Sequence, residues 1–148
     1  MASDGEARQV VVVGVDGSDP SIAALTWAGQ YSAATGAAVQ ALRIWHYPTA
    51  AGLPPGVTPP QVTDPIKAEQ RQELDEAVAK AHLDPAAHVE PTITYGHPAQ
   101  VLIDQSKTAS LLVVGHRGEG GFHGMLTGSI AIHCVNHAEC PVVVVRSD

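Results

Sequence analysis

Three stretches of this chain are apolar at nearly every position: VVVVGV within Gln9–Val15, LLVV within Ser110–Gly115 and VVVV within Pro141–Arg146. A strand with one wet face alternates apolar and polar side chains. A strand covered on both faces reads as a continuous, β-branched run, the signature of a parallel sheet with helices on each side. Two further segments, Ala38–Trp45 (AVQALRIW) and His88–Tyr95 (HVEPTITY), bring the predicted strands to five.

Helical patterns fill the intervals. The first runs from Asp19 as candidate cap, through Pro20, to Gly36. The second opens on Asp64–Pro65 and carries an apolar stripe of Leu74, Ala77, Val78 and Ala81. The third opens on Pro98 and places Leu102, Ile103 and Ser106 on one face. The fourth begins near Leu126 and spaces Ile130, Ala131, Cys134, Val135 and Ala138 helically. Strand alternating with helix to the end of the chain is an α/β pattern. One connection is irregular: Tyr47–Pro65 holds six of the eleven prolines and is expected to be a loop, covering a site or meeting a partner.

Two strands carry positional information. Pro91 lacks an N–H for the ladder, which assigns its strand to a sheet edge. The valine run that ends the chain would, at the opposite edge, expose unpaired backbone groups. Pairing with a second copy through Val142–Val145 covers them, so a two-fold dimer is expected; a buried central strand is the alternative.

Composition narrows the partners. The 148 residues are read as one domain, 1–148, and 45% hydrophobic content suffices for one core. The formal net charge is −7 and no run of Lys and Arg occurs, so the footprint for nucleic acid or an anionic membrane is lacking. An anionic ligand would have to be held by backbone N–H groups or a helix N-terminus. MASDGEARQ contains no apolar core of a signal peptide, and no stretch approaches membrane-spanning length, so a cytoplasmic location is expected. Cys134 and Cys140 read as small hydrophobes in a reducing compartment.

The stretch GHRGEGGFHGMLTGS, Gly115 to Ser129, lies between the fourth strand and the fourth helix. In a parallel sheet, ligands bind beyond the carboxyl ends of strands where the winding reverses. Glycine lets the backbone approach an anion, and the helix behind it offers free N–H groups and a partial positive charge. A tight turn with a helix cap is the purely structural alternative, and Ser129 suits either a cap or a phosphate. Asp16, just past the first strand, is placed to accept from an adenine amino group or a ribose hydroxyl. It equally suits an Asx-turn entering the first helix. No Walker A lysine is present, and no G-x-G-x-x-G follows the first strand. His133 and His137 are four apart on a helix, and His116 and His123 lie in the glycine stretch. No third ligand accompanies them, so no dedicated metal site is expected.

Gly115, Gly118, Gly128 and Ser129 form the pattern G-x-x-G, nine residues, G-S. With VVVGVDGS at the start, GGF at Gly120–Phe122 and CPVVVVR at the end, the chain resembles the universal stress protein family, ATP-binding type, over essentially its whole length. The resemblance implies a five-stranded parallel sheet in the order 3-2-1-4-5 with helices on both faces, a Rossmann-like fold of the adenine nucleotide alpha hydrolase kind. It implies a homodimer through the last strand. It also implies a nucleotide site built from Gly14, Val15, Asp16, Ile44, Gly115, His116, Arg117, Gly118, Gly120, Gly121, Gly128, Ser129 and Ile130. Asp16 would contact the adenosine and Ile44 would pack on the base, while the glycines and Ser129 would hold ribose and phosphates. ATP, ADP or cyclic AMP is the implied cofactor, with Mg²⁺ accompanying a triphosphate. The sequence departs from the pattern at Ala131, where many members carry a hydroxyl. The expected function is a nucleotide-binding regulator or sensor with little or no hydrolysis, since no residue is assigned as a base. A dimeric module without nucleotide and a slow ATP hydrolase are the alternatives.

Overall fold

The computed structural model describes residues 9–46, 59–117 and 128–147. In chain order the elements are β1 (Val10–Gly14), α1 (Asp19–Thr35), β2 (Ala38–Trp45), α2 (Pro59–Lys80), β3 (His88–Tyr95), α3 (Pro98–Ser106), β4 (Leu111–Gly115), α4 (Ser129–His137) and β5 (Val142–Val145). The strands form one sheet in the order β3-β2-β1-β4-β5, with every neighbouring pair parallel. Pro91 lies on edge strand β3, as its missing donor requires, and the valine run is the opposite edge.

Successive strand residues point to opposite faces, and here both faces are covered. Val11, Val13, Val39, Ala41 and Val113 pack against Leu25 of α1 and Leu74 of α2. Val12, Leu42, Leu112 and Val114 pack against Leu102 of α3 and Cys134 of α4. This two-sided burial is the physical reason for the uninterrupted apolar runs. Each fully buried Val or Leu contributes about 1.5–3 kcal/mol by leaving water. Buried polar groups are satisfied where they join elements. Ser32 Oγ donates to Ala37 O (2.6 Å) and accepts from His88 N (2.9 Å), tying the end of α1 to the starts of β2 and β3. Ser106 Oγ accepts from Glu139 N (2.9 Å) and holds α3 to the approach of β5.

Three details add to or differ from the expectation. The cap of α1 is Ser18, whose side chain accepts from Ser21 N, so Asp19 is already in the first turn. The second helix starts at Pro59, five residues before Asp64, and runs through Pro65. Pro59 and Pro60 sit where helical N–H groups have no intrahelical acceptor, so they cost nothing there. Pro65 removes one bond from a helix of 22 residues. The expected loop is therefore shorter than Tyr47–Pro65, and its remaining part, 47–58, lies outside the described residues. The third is on α4: of the helically spaced apolar residues, Ala131 and Cys134 are buried but Val135 is 57% exposed, and Ile132 beside them is 42% exposed. The expected start of α4 near Leu126 lies outside the described residues.

Leu74 is completely buried between α2 and the sheet. Leu74→Ala is expected to lower unfolding free energy by about 2–5 kcal/mol. Glu69→Ala, on the exposed face of the same helix, should change it by no more than about 0.5 kcal/mol. Urea denaturation of both variants checks the pair.

Candidate functional site

The winding direction reverses between β1 and β4, because the chain moves from β1 outward to β2 and β3 and then returns to β4 on the other side. Ligands of open parallel sheets bind beyond the carboxyl ends of strands at such a reversal. Register places the relevant residues along that edge. Gly14 pairs with Leu42, so Asp16 and Ile44 each lie two residues further on. Val13 pairs with Val113, and Gly115 pairs with Val145. Ile44, Asp16 and Gly115–Arg117 thus occupy neighbouring positions on one edge.

Two backbone bonds then bring in α4. His116 N donates to Val145 O (2.8 Å), and Gly128 N donates to His116 O (2.5 Å). The bond between His116 and Gly128 forms a neck at which the first residues of α4 sit beside the end of β4. Gly128 is the cap of α4, and among the described residues no side-chain cap bond is made there. Ser129 is the first helical residue and is exposed, so it does not serve as the cap. Ile130 packs partly against the α3–α4 core. Ala131 is 2% exposed and faces that core. Gly118, Gly120 and Gly121 lie outside the described residues.

Asp16 is held by the start of α1. Its Oδ1 accepts from Ser18 N (2.9 Å) and Ser18 Oγ (2.5 Å), and Asp16 N donates to Ser21 Oγ (3.2 Å). This is the Asx-turn that sequence spacing allowed, and it fixes the carboxylate at the mouth of the reversal. Gly17 turns the chain with a φ of +88°, a left-handed conformation that favours glycine. Val15 has its side chain in the α1–α2 core and its N–H bonded to Leu42 O (2.9 Å).

Gly115 has a packing reason to be glycine. A Cβ there would lie 2.6 Å from the carbonyl carbon of Pro20, at the first turn of α1. Glycine thus lets β4 and α1 close onto one another at the reversal. His116, the next residue, is 3% exposed. Its Nε2 accepts from Arg117 Nε (3.2 Å), while its Nδ1 is buried and has no hydrogen-bond partner among the described residues.

Sequence spacing missed Arg43. It interrupts AVQALRIW on the face that α2 covers, and its side chain is 12% exposed. Its Nε donates to Gln70 Oε1 (2.5 Å) and its Nη2 to Glu73 Oε1 (2.6 Å). A cleft of about 250 Å³ opens beside it, lined by Asp16, Gly17, Arg43, Glu73, Glu76 and Lys80 among others. The available signal was a lone cation inside an otherwise apolar strand, which demands a partner when buried.

Among the described residues, no three His, Cys, Asp or Glu side chains converge as a metal site. Cys134 and Cys140 are free thiols. Burial first, and the neighbouring Cys140 second, push the Cys134 thiol up to about 11. It is therefore protonated at neutral pH and behaves as an inert core residue. Among the described residues no helix is long and apolar enough to cross a membrane.

The model of the universal stress protein family matches residues 7–146. A universal stress protein of Mycolicibacterium smegmatis is 33% identical over 95% of this chain and 47% of its own length. One from Mycobacterium tuberculosis is 32% identical over 92% of this chain and 43% of its own. The chain thus spans about half the length of the curated relatives it matches. Among solved structures, universal stress protein UspA from Lactobacillus plantarum superposes with a TM-score of 0.77 at 26% identity, covering 95% of this chain and all of that one. A universal stress protein solved in complex with cAMP gives a TM-score of 0.65 at 28% identity, covering 97% of this chain and all of that one.

Gly115→Ala should be destabilising by about 1–3 kcal/mol, because the added methyl group meets backbone rather than a movable side chain. Thermal unfolding of the ligand-free variant checks this.

Proposed function

We propose a function from one premise: this chain belongs to the universal stress protein family. We read residues 1–148 as a single domain of that type, and as a cytoplasmic adenine-nucleotide-binding regulator or sensor in a stress response. The observation that carries the reading is the neck. The bond from Gly128 N to His116 O sets the N-terminus of α4, which has no side-chain cap among the described residues, at the winding reversal, with Asp16 and Ile44 along the same edge. Backbone donors and a helix N-terminus suit phosphate in a chain with no basic stripe. Asp16 and Ile44 then serve the nucleoside, with Gly14 and Val15 supporting the turn. Gly115, His116, Arg117, Gly118, Gly120, Gly121, Gly128, Ser129 and Ile130 surround ribose and phosphates. The relative bound to cAMP supports an adenine nucleotide as the ligand class. ATP and ADP are the other candidates, and Mg²⁺ would enter on the oxygens of a triphosphate.

Ala131 does not weigh against this site, because its side chain faces the core, where a hydroxyl would be buried away from a ligand. Little or no hydrolysis is expected. Asp16 Oδ1 is committed to the turn before α1, and His116 Nε2 to Arg117, so neither atom is set to orient an attacking water. Calorimetric titration with ATP, AMP and cAMP tests the reading. Micromolar or tighter binding of at least one is expected, and Asp16→Asn should weaken it about tenfold. Asparagine retains an oxygen for Ser18, so its unfolding temperature should stay near that of the parent. Absence of heat with all three nucleotides, and of any nucleotide released from the purified protein, overturns the proposal.

The second element is a two-fold dimer through Val142–Val145. The four valines are only half buried in one chain, and Val135 and Ile132 on α4, which packs over β4 and β5, are exposed. An apolar edge strand with an apolar helix face beside it is covered most simply by the same surface of a second copy. Val143→Glu, and independently Val135→Asp, should convert the sedimenting species to monomer. A dimer that survives both places the interface elsewhere.

A further inference from the structure

We propose that His116 is the residue that makes this neck selective for a phosphorylated nucleoside over the nucleoside alone; the proposal rests on the nucleotide reading above. A guanidinium is a donor without an acceptor and does not deprotonate in proteins. Because Arg117 Nε donates to His116 Nε2 (3.2 Å), Nε2 carries the lone pair. In a neutral imidazole the proton is then on Nδ1. That N–H is buried and has no hydrogen-bond partner among the described residues, in a side chain that is 3% exposed.

Strand alternation states which way the ring faces. A Cβ on Gly115 would meet Pro20 of α1, so the next residue falls on the opposite, α3–α4 face. The backbone of His116 also holds the cap of α4 through Gly128 N. The ring therefore lies on the side of the sheet that α4 covers, and α4 begins there without a side-chain cap among the described residues. A buried donor without an acceptor costs stability until an acceptor arrives. Three features at this neck seek the same partner: the Nδ1–H, the N–H groups of the α4 N-terminus, and the Arg117 cation. A phosphoryl oxygen answers all three, whereas an uncharged nucleoside supplies no negative charge for the helix end or for Arg117.

Calorimetric titration with AMP and adenosine, which differ by the phosphate alone, tests this on the full chain and on His116→Leu and His116→Asn. In the parent, AMP should bind more tightly than adenosine. His116→Leu should lose AMP affinity about tenfold or more, as expected for a lost hydrogen bond to a charged group, and adenosine affinity should change less than about twofold. His116→Asn, whose side-chain amide reaches the Nδ1 position, should recover most of the loss. The ligand-free Leu variant should melt no lower than the parent, since it removes an unsatisfied buried donor. A purely structural histidine would instead lower the melting temperature and weaken both ligands alike, which overturns the proposal, as does AMP affinity unchanged in His116→Leu. If His116→Leu does not fold, His116→Gln replaces it. Its amide extends toward the Nε2 position, so AMP loss with Gln and recovery with Asn supports the assignment, and equal binding by the two overturns it. If the parent itself binds neither ligand, the nucleotide reading has failed and this inference fails with it. If the parent binds AMP and the variants match it, the nucleotide reading stands and only the role of His116 is overturned.

Discussion

The pairing of β1 with β4 is the contact on which the rest of the molecule depends. Val11, Val12 and Val13 lie opposite Leu111, Leu112 and Val113, and all six are at most 9% exposed. The two strands come from distant parts of the chain, and between them the connections change direction. Because α1 and α2 lie on one face and α3 and α4 on the other, the carboxyl ends of β1 and β4 have no crossover between them. That opening is a consequence of topology, and the candidate site occupies it.

At the opening, packing and binding share the same residues. Gly115 lets α1 approach β4 at the level of Pro20. Asp16 closes the turn that starts α1 and stands at the mouth of the reversal. His116 joins β5 to the cap of α4 through its backbone, while its ring carries a buried donor. Conservative substitution here therefore has to be judged on stability and ligand affinity separately. The same economy appears on the other side of Asp16, where Arg43 is held by Gln70 and Glu73 and fastens α2 beneath the turn.

Much of the architecture was legible in the residues. Continuous valine runs indicated strands buried on two faces, and the sheet has that form. Pro91 marked an edge, and the valines of β5 marked the other. The helix boundaries were less legible where proline or capping decided them. Pro59–Pro65 carries so much proline that a loop is the natural expectation, yet Pro59 and Pro60 in the first turn remove no helical bond and Pro65 removes only one. Val135 fits a helical stripe by spacing alone, but the direction α4 presents to the sheet exposes it. Arg43 was overlooked because its partners, Gln70 and Glu73, lie on a helix far along the chain.

The sequence by itself determined the elements, their alternation and the spacing of Gly115, Gly118, Gly128 and Ser129, because these follow from local periodicity, backbone freedom and pattern. Only the tertiary structure decided that Arg43 meets Gln70 and Glu73, that Gly115 answers to Pro20, and that the His116 ring holds a buried nitrogen with no partner among the described residues. Each of those facts depends on which surfaces meet across the sheet. Such meetings are set by long-range packing and pairing register, which no local stretch of residues encodes.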